Sequence, residues 1–119
     1  MNNAQFEDLE IWKEGIRLAL KTYEALKSCK DFGFKDQIQR AAVSIPSNIS
    51  EGFERQTNKE FIQFLYIAKG SCGELRTQTY LGYQLQYIKE DDYIVILEKT
   101  KSLSSMLGSF IKARKSFTP

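Results

Sequence analysis

Apolar residues recur every three or four positions in four successive segments of this 119-residue chain. That spacing places apolar side chains on one face of an α-helix, whereas a half-buried strand would need strict alternation. The segments extend from about 8 to 28, 34 to 55, 57 to 87 and 90 to 111. The sequence therefore predicts four amphipathic helices, with Gly33 suited to a helix end between the first two.

The second segment contains a proline, Pro46, inside its apolar pattern. An interior proline removes one backbone hydrogen bond at a cost of about 3 kcal/mol, so either a kinked helix or two short helices results. Because the apolar stripe continues in phase from Ile45 to Ile49, the sequence favours one helix with a proline kink.

Helix-start signals mark the third and fourth segments. Thr57 followed by Glu60 has the form of a capping box. Glu90, Asp91 and Asp92 open the last segment, where a helix N-terminus favours negative charge. Four helices with short connections predict an all-α, antiparallel up-down-up-down four-helix bundle, formed as one domain by residues 1–119.

Residue usage argues against an enzyme. The chain has no histidine, the commonest general base and metal ligand, so Cys29 and Cys72 have no histidine to activate them. A site built from carboxylates alone stays open, with Glu51 and Glu74 as its candidates. We expect no catalytic residues, metal, cofactor or small-molecule substrate.

The expected compartment is the cytoplasm. The N-terminal residues lack the basic region and apolar run of a secretory signal, and no 18-residue apolar stretch is present to span a membrane. Cys29 and Cys72 have neither metal-site spacing nor a disulfide framework, and we interpret them as buried thiols in a reducing compartment.

The third segment has more apolar surface than one packed face can use. Between Phe61 and Ala68 only Gln63 is strongly polar, so apolar side chains point nearly all round the helix. This pattern favours self-association, although a broad core face with scattered exposed aromatics would also produce it. The predicted oligomer interface consists of Ile62, Tyr66, Tyr80, Tyr83 and Tyr87.

Basic residues offer a second interpretation, nucleic-acid binding, despite a net charge of only +2. Tyrosines interleaved with Lys69 and Arg76 could stack on bases while the cations neutralise phosphates. The basic residues near the C-terminus also fit a solvated helix end. The candidate phosphate contacts are Arg40, Arg55, Lys69, Arg76, Lys112, Arg114 and Lys115.

A polar row beside Pro46 has two interpretations. Arg40 and Arg55 could bind phosphate next to the kink. Alternatively, Glu51 pairs with Arg55, while nearby polar side chains satisfy backbone carbonyls that the proline leaves free. The side chains available for the second role are Ser44, Ser47 and Asn48.

The stretch from Gln37 to Gly52, QIQRAAVSIPSNISEG, resembles the signature of the four-helix-bundle proteins encoded in 23S rRNA intervening sequences. Further similarities are LEIWK at 9–13, KEF at 59–61, FL at 64–65, AKGS at 68–71 and EL at 74–75. The resemblance covers nearly the whole chain.

The resemblance implies a bacterial antiparallel bundle that assembles into a ring-like homopentamer, with no enzymatic activity attached. Related accessory proteins of diversity-generating retroelements are similar in architecture, and bind nucleic acid and a reverse transcriptase through a basic surface. This chain departs from those strongly basic relatives in its near-neutral charge. It also carries Cys72, Gly73 and Arg76 where relatives have larger apolar or acidic residues.

Overall fold

A computed structural model describes residues 5–117 of the chain. A short 3-10 turn at Phe6–Asp8 precedes four helices: α1 (Glu10–Ala25), α2 (Phe32–Phe53), α3 (Asn58–Gln84) and α4 (Glu90–Lys115). Residues 5–117 form no β-strand. The prediction of an all-α fold with four helices is confirmed.

The start of α2 corrects one sequence prediction. Gly33 lies in the first turn of α2 and does not end the preceding helix. The reason is the N-cap Asp31, whose carboxylate accepts a hydrogen bond from the backbone N–H of Phe34 at 3.1 Å. α1 is also shorter than predicted at both ends, since it begins at Glu10 and ends at Ala25.

Thr57 is confirmed as the N-cap of α3, and the end of α3 is defined by a left-handed residue. The Thr57 hydroxyl accepts from the backbone N–H of Glu60 at 3.1 Å. At the other end Gln86 has φ 65°, and the N–H of Tyr87 bonds the Gly82 carbonyl at 2.8 Å. This is a Schellman turn. It ends α3 before Tyr87, the residue at which the apolar pattern predicts the end of the helix.

Pro46 lies within α2, which continues unbroken on both sides of it. One helix therefore forms instead of two short ones, and a bend at Pro46 stays a prediction. The proline also marks a close approach of two helices, because a Cβ placed on Gly15 of α1 would lie 3.3 Å from the Cβ of Pro46.

The end of one helix lies beside the start of a neighbouring helix. Lys21 near the end of α1 pairs with Asp92 at the start of α4, with 2.8 Å between Nζ and Oδ1. The ring of Phe34 at the start of α2 lies 5.3 Å from that of Tyr87, just after α3. These contacts, together with the short turns, are what an antiparallel arrangement requires. The resulting bundle measures 48 × 21 × 20 Å.

One end of the bundle is closed by a line of aromatic rings. Phe6 contacts Phe53, Phe53 contacts Phe61, and Phe61 contacts Phe110, at centroid distances of 6.4, 5.9 and 5.8 Å. The rings come from the 3-10 turn, α2, α3 and α4, so they join four elements at this end. Their edge-on geometries are those that aromatic pairs prefer.

The core consists of aliphatic side chains with three buried threonines among them. The hydroxyls of Thr22, Thr79 and Thr100 each donate to the carbonyl four residues earlier, at 2.6–2.8 Å. These bonds remove the penalty of burying an unpaired hydroxyl. The largest fully buried aliphatic residues are Leu18, Leu26, Ile38, Ile45, Ile49, Leu65, Leu75, Ile96, Leu103 and Leu107.

None of the helices between residues 5 and 117 has both the length and the apolar character needed to cross a membrane.

Candidate interaction surfaces

The outward side of α3 carries four large apolar side chains that the chain does not cover. Tyr66, Ile67, Tyr80 and Leu81, which we call the α3 strip, are 47–55% exposed. The core-facing seam on the same helix, from Phe61 through Leu65 to Leu75, is buried. α3 is therefore apolar on both sides, and the chain itself covers only the core-facing side.

A gap divides the α3 strip into two pairs. Gly70 and Gly73 lie between Ile67 and Tyr80, and a Cβ placed on either glycine would meet no atom within 4 Å. At 1.5 Å rise per residue, the strip extends for about 20 Å along the helix. It thus offers two apolar contact points with a shallow depression between them.

The structure separates the five predicted interface residues into two groups. Tyr66 and Tyr80 are exposed, but Tyr83 and Tyr87 make contacts within the chain. The Tyr83 ring stacks on Tyr93 with 4.3 Å between centroids, and its hydroxyl donates to Glu90 at 3.1 Å. This hydrogen bond raises the pKa of Tyr83 above its usual value.

Tyr87 fastens the turn after α3 to the start of α2. Its hydroxyl donates to Asp31 at 2.9 Å, which raises the pKa of Tyr87, and its ring packs on Phe34. Ile62, the fifth predicted interface residue, is partly buried against the core. These two residues therefore contribute to the bundle itself.

A second apolar patch lies on α1 and α2, and the sequence did not reveal it. Leu20, Tyr23 and Val43, which we call the α1–α2 patch, are 40–66% exposed. Leu20 and Tyr23 belong to the apolar pattern of the first segment, but they do not face the core. Leu20 lies about 160° round α1 from the buried Thr22, because two residues turn a helix through about 200°. The buried residues of α1 are Ile11, Gly15, Leu18, Ala19 and Thr22.

Two of the predicted phosphate contacts are already paired with acids on α2. The Nε of Arg40 lies 2.8 Å from a carboxylate oxygen of Asp36, and this hydrogen bond raises the arginine pKa. An Nη of Arg55 lies 2.6 Å from Glu51, and the guanidinium is also 4.8 Å from the ring centre of Phe64. Both arginines remain exposed, but each has a neighbouring acid that neutralises it.

Arg114 has a structural position too. Its Nε donates to the side-chain oxygen of Asn58 at 2.8 Å, and its guanidinium lies over the rings of Phe61 and Phe117 at 5.1 and 4.9 Å. Three of the seven predicted phosphate contacts, Arg40, Arg55 and Arg114, thus already have partners in the chain.

The remaining cations follow the junction of α3 and α4. We call this junction the α3–α4 groove. Lys69 reaches over α4, since its Cε would lie 3.5 Å from a Cβ placed on Gly108, and Lys115 lies 5.1 Å from the ring centre of Tyr66. The ion pairs found within residues 5–117 are formed by other lysines and arginines, and none of them includes a cation of the groove. The groove cations with a contact at this junction are Lys69, Arg76, Lys101 and Lys115. Lys112 joins them by helical spacing, since it lies four residues after Gly108 and three before Lys115 on α4.

The groove contains a cleft of about 600 Å³ toward the turn between α3 and α4. The sequence did not single out Lys101 and Tyr93 for this site, although both repeat at helical spacing with Leu97 on α4. Arg76 and Tyr80 come from α3. The residues that line the cleft are Gly73, Arg76, Thr77, Tyr80, Tyr93, Leu97 and Lys101.

The polar row beside Pro46 connects α2 to α3. The hydroxyls of Ser44 and Ser71 are 2.8 Å apart, and the Asn48 amide donates to the Ser44 carbonyl at 2.7 Å and its hydroxyl at 2.9 Å. The predicted Glu51–Arg55 pair is present. The proline frees the carbonyl of Ala42, so Asn48 bonds a different carbonyl from the predicted one.

The side chains considered for catalysis have different surroundings. Glu51 bonds Arg55, and Glu74 is exposed on the outward side of α3. Cys29 and Cys72 are free and buried, and burial raises the pKa of the Cys72 thiol to about 11. Cys72 is therefore protonated at neutral pH.

Comparison with known proteins agrees with the fold and the sequence resemblance. The family described as 23S rRNA-intervening sequence protein matches residues 7–109. A crystal structure of a protein with unknown function from the S23 ribosomal protein family, from Bacteroides thetaiotaomicron VPI-5482, is similar with a TM-score of 0.80 and 27% identity. The similarity covers 86% of this chain and 98% of that one. No curated protein matches the chain.

The match to the family extends from the 3-10 turn into the second half of α4, and so includes all four helices. The solved relative shares this architecture over nearly its whole length. The chain belongs to the 23S rRNA-intervening sequence protein family.

Proposed function

We propose that the protein is a non-enzymatic, homo-oligomeric scaffold whose copies associate through the α3 strip. The observation that carries this proposal is the exposure of Tyr66, Ile67, Tyr80 and Leu81 on a helix whose opposite face is buried. Aromatic and aliphatic side chains grouped in this way are typical of protein interfaces.

The size of the strip indicates that a second surface takes part. Covering the exposed halves of the four large side chains of one strip yields about 4 kcal/mol, so the surface opposite the strip must contribute a similar amount to offset an association cost of roughly 4–15 kcal/mol. The α1–α2 patch supplies further apolar area on another side of the bundle. We therefore propose that the α3 strip of one copy packs on the α1–α2 patch of the next.

Contacts between two different surfaces lead to a ring when the rotation between copies closes. The homopentamer implied by the family resemblance is a ring of this kind, since an odd-numbered ring requires head-to-tail contacts. We place the assembly in the cytoplasm, where the free thiols of Cys29 and Cys72 would stay reduced.

Two double variants test the proposal by light scattering. Ile67→Glu with Leu81→Glu blocks the strip, and Leu20→Glu with Tyr23→Glu blocks the patch. The wild-type protein should have a mass several times 13.8 kDa. Each variant alone should be monomeric, because buried carboxylates at an apolar contact are strongly unfavourable.

Mixing the two variants provides the decisive result. Each retains the surface that the other lacks, so the mixture should form a one-to-one dimer and nothing larger. Ser102→Glu with Ser105→Glu, on the exposed side of α4, is the control with equal added charge. A monomeric wild-type protein would contradict self-association, and an oligomeric patch variant would contradict the head-to-tail arrangement.

Nucleic-acid binding is a second candidate function, favoured by the cations of the α3–α4 groove. These five residues have no acid within ion-pair distance among residues 5–117, and Tyr66 and Tyr80 border them. An oligomer would repeat this modest basic surface and strengthen binding through multivalency.

Salt dependence tests this second candidate. Affinity for a single-stranded oligonucleotide should fall steeply as the salt concentration rises, and Lys69→Gln with Lys112→Gln should reduce that slope. Arg40→Gln, which alters an arginine already paired with Asp36, is the control. The absence of binding to RNA and DNA at low salt would exclude the idea.

A further inference from the structure

We propose that the cleft in the α3–α4 groove binds one nucleotide, with the phosphate between Arg76 and Lys101 and the base against Tyr80. The nucleotide is either free or part of a single strand. Tyr80 belongs both to this cleft and to the α3 strip, so the nucleotide binds a copy whose strip is not covered by its neighbour at Tyr80. The inference gives the second candidate function a defined contact point.

The cleft is an open depression on the surface of the bundle. Its volume of about 600 Å³ gives a nucleotide room to bind with part of its surface exposed to solvent. Gly73 keeps one wall open, because a Cβ placed there would meet no atom within 4 Å. A planar ring therefore has room beside the helix backbone.

The charges in the cleft favour an anion. Arg76 comes from α3 and Lys101 from α4, so cations lie on both walls. The seven lining residues include no aspartate or glutamate. Within residues 5–117 neither cation forms an ion pair. Arginine presents a fork that matches two phosphate oxygens, and lysine adds a second charge.

The aromatic residues favour a planar group next to that anion. Tyr80 is 55% exposed, so its ring is available for stacking. Tyr93 is fixed by its nearly parallel stack on Tyr83, with an interplanar angle of 7°, and Glu90 holds the Tyr83 hydroxyl. One tyrosine is thus free and the other rigid, which suits a base that enters along the groove.

Calorimetric titration with UMP, uridine, inorganic phosphate and a short oligo(dT) tests the proposal. UMP should bind at least about tenfold more tightly than uridine or phosphate, because each of these lacks one of the two contacts. Arg76→Gln, Lys101→Gln and Tyr80→Ala should each weaken binding about tenfold. Lys59→Gln removes an exposed charge outside the cleft and should leave binding unchanged.

Each outcome has a defined meaning. Binding of UMP that the three variants weaken supports a site for free nucleotides. Binding of oligo(dT) alone, weakened by the same variants, supports a site within a strand-binding surface. Absence of binding by both, or binding that the variants leave unchanged, overturns the proposal.

Mass measurements on the same samples show whether a variant also changes the oligomeric state. They therefore distinguish a loss of nucleotide binding from a loss of self-association. Oligo(dT) binding that survives in all three variants would leave nucleic-acid binding in place and exclude the cleft as its contact point.

Discussion

Arg114 in the last turn of α4 and Asn58 in the first turn of α3 are joined by two hydrogen bonds. The arginine Nε donates to the asparagine Oδ1, and the asparagine Nδ2 donates to the arginine backbone carbonyl, both at 2.8 Å. The second bond satisfies a carbonyl at a helix end, where helical partners are missing. The pair therefore fixes the start of one helix to the end of the next.

We expect Arg114→Ala to lower the free energy of unfolding by about 2 kcal/mol, since it removes a charged hydrogen bond and the contact with Phe61. Arg114→Lys should recover only part of this loss, because lysine lacks the donor at Nε. Urea unfolding measures both variants. Lys112→Ala, on the same turn of the helix, should change stability by less than about 0.5 kcal/mol, and equal effects of the two alanine variants would contradict the structural role.

Gly52 lies where α2 and α3 approach too closely for a side chain. A Cβ there would be 2.6 Å from the Cβ of Phe64 and 3.2 Å from the Phe61 carbonyl oxygen. Gly52→Ala should therefore destabilise the protein by about 1–3 kcal/mol in urea unfolding. Gly70→Ala, at an open position of α3, should instead stabilise it by about 0.5–1 kcal/mol. Equal effects at the two glycines would refute the close approach.

Gln86 adopts the left-handed conformation that ends α3, with φ 65°. Glycine adopts it without the steric penalty, so Gln86→Gly should raise stability by about 0.5–1 kcal/mol. Thermal unfolding provides the measurement. Gln84→Gly, in the last helical position, should lower stability, and a loss at both positions would argue against the left-handed turn.

Alkaline pH should weaken the end of the bundle that Tyr83 and Tyr87 hold. Their hydrogen bonds to Glu90 and Asp31 raise both tyrosine pKa values. A raised pKa in the folded state means that the stabilisation is fully present below the usual tyrosine pKa of about 10 and is lost as the pH rises through the folded value. The melting temperature should therefore fall at high pH.

The variant Tyr83→Phe with Tyr87→Phe isolates this effect, because it retains the rings and removes the hydroxyls. Its melting temperature should decline less than that of the wild-type protein between about pH 8 and about pH 11. Tyr66→Phe, which alters an exposed tyrosine of the α3 strip, is the control. Parallel declines in all three proteins would refute the contribution of these hydroxyls.

Regular spacing made the helices predictable, and local signals such as Thr57 with Glu60 placed one boundary correctly. Gly33 was misleading because glycine suits several helix-end positions, and the Asp31 cap decides which one is used. The Glu51–Arg55 pair was predictable because both residues lie on one helix. The Arg114–Asn58 pair was not, since its members are 56 residues apart and only packing brings them together.

The residues of the interaction surfaces also divide into some that the sequence pattern placed and others whose partners only the folded chain supplies. The excess of apolar residues on the third segment predicted a partner surface, which stays a prediction, and Tyr66 and Tyr80 are exposed on the outward side of α3. Tyr83 and Tyr87 have the same spacing, but the start of α4 and the start of α2 supply partners for them. Periodicity identifies the face of a helix, and neighbouring elements determine which part of that face remains available.

The line of rings from Phe6 to Phe110 has a consequence for protein engineering. It shows that the polypeptide enters and leaves the bundle at the same end, since Phe6 belongs to the first element and Phe110 to the last helix. Two copies of the described residues 5–117 could therefore be joined into a single-chain tandem by a short linker from the end of α4 in one copy to the 3-10 turn of the next.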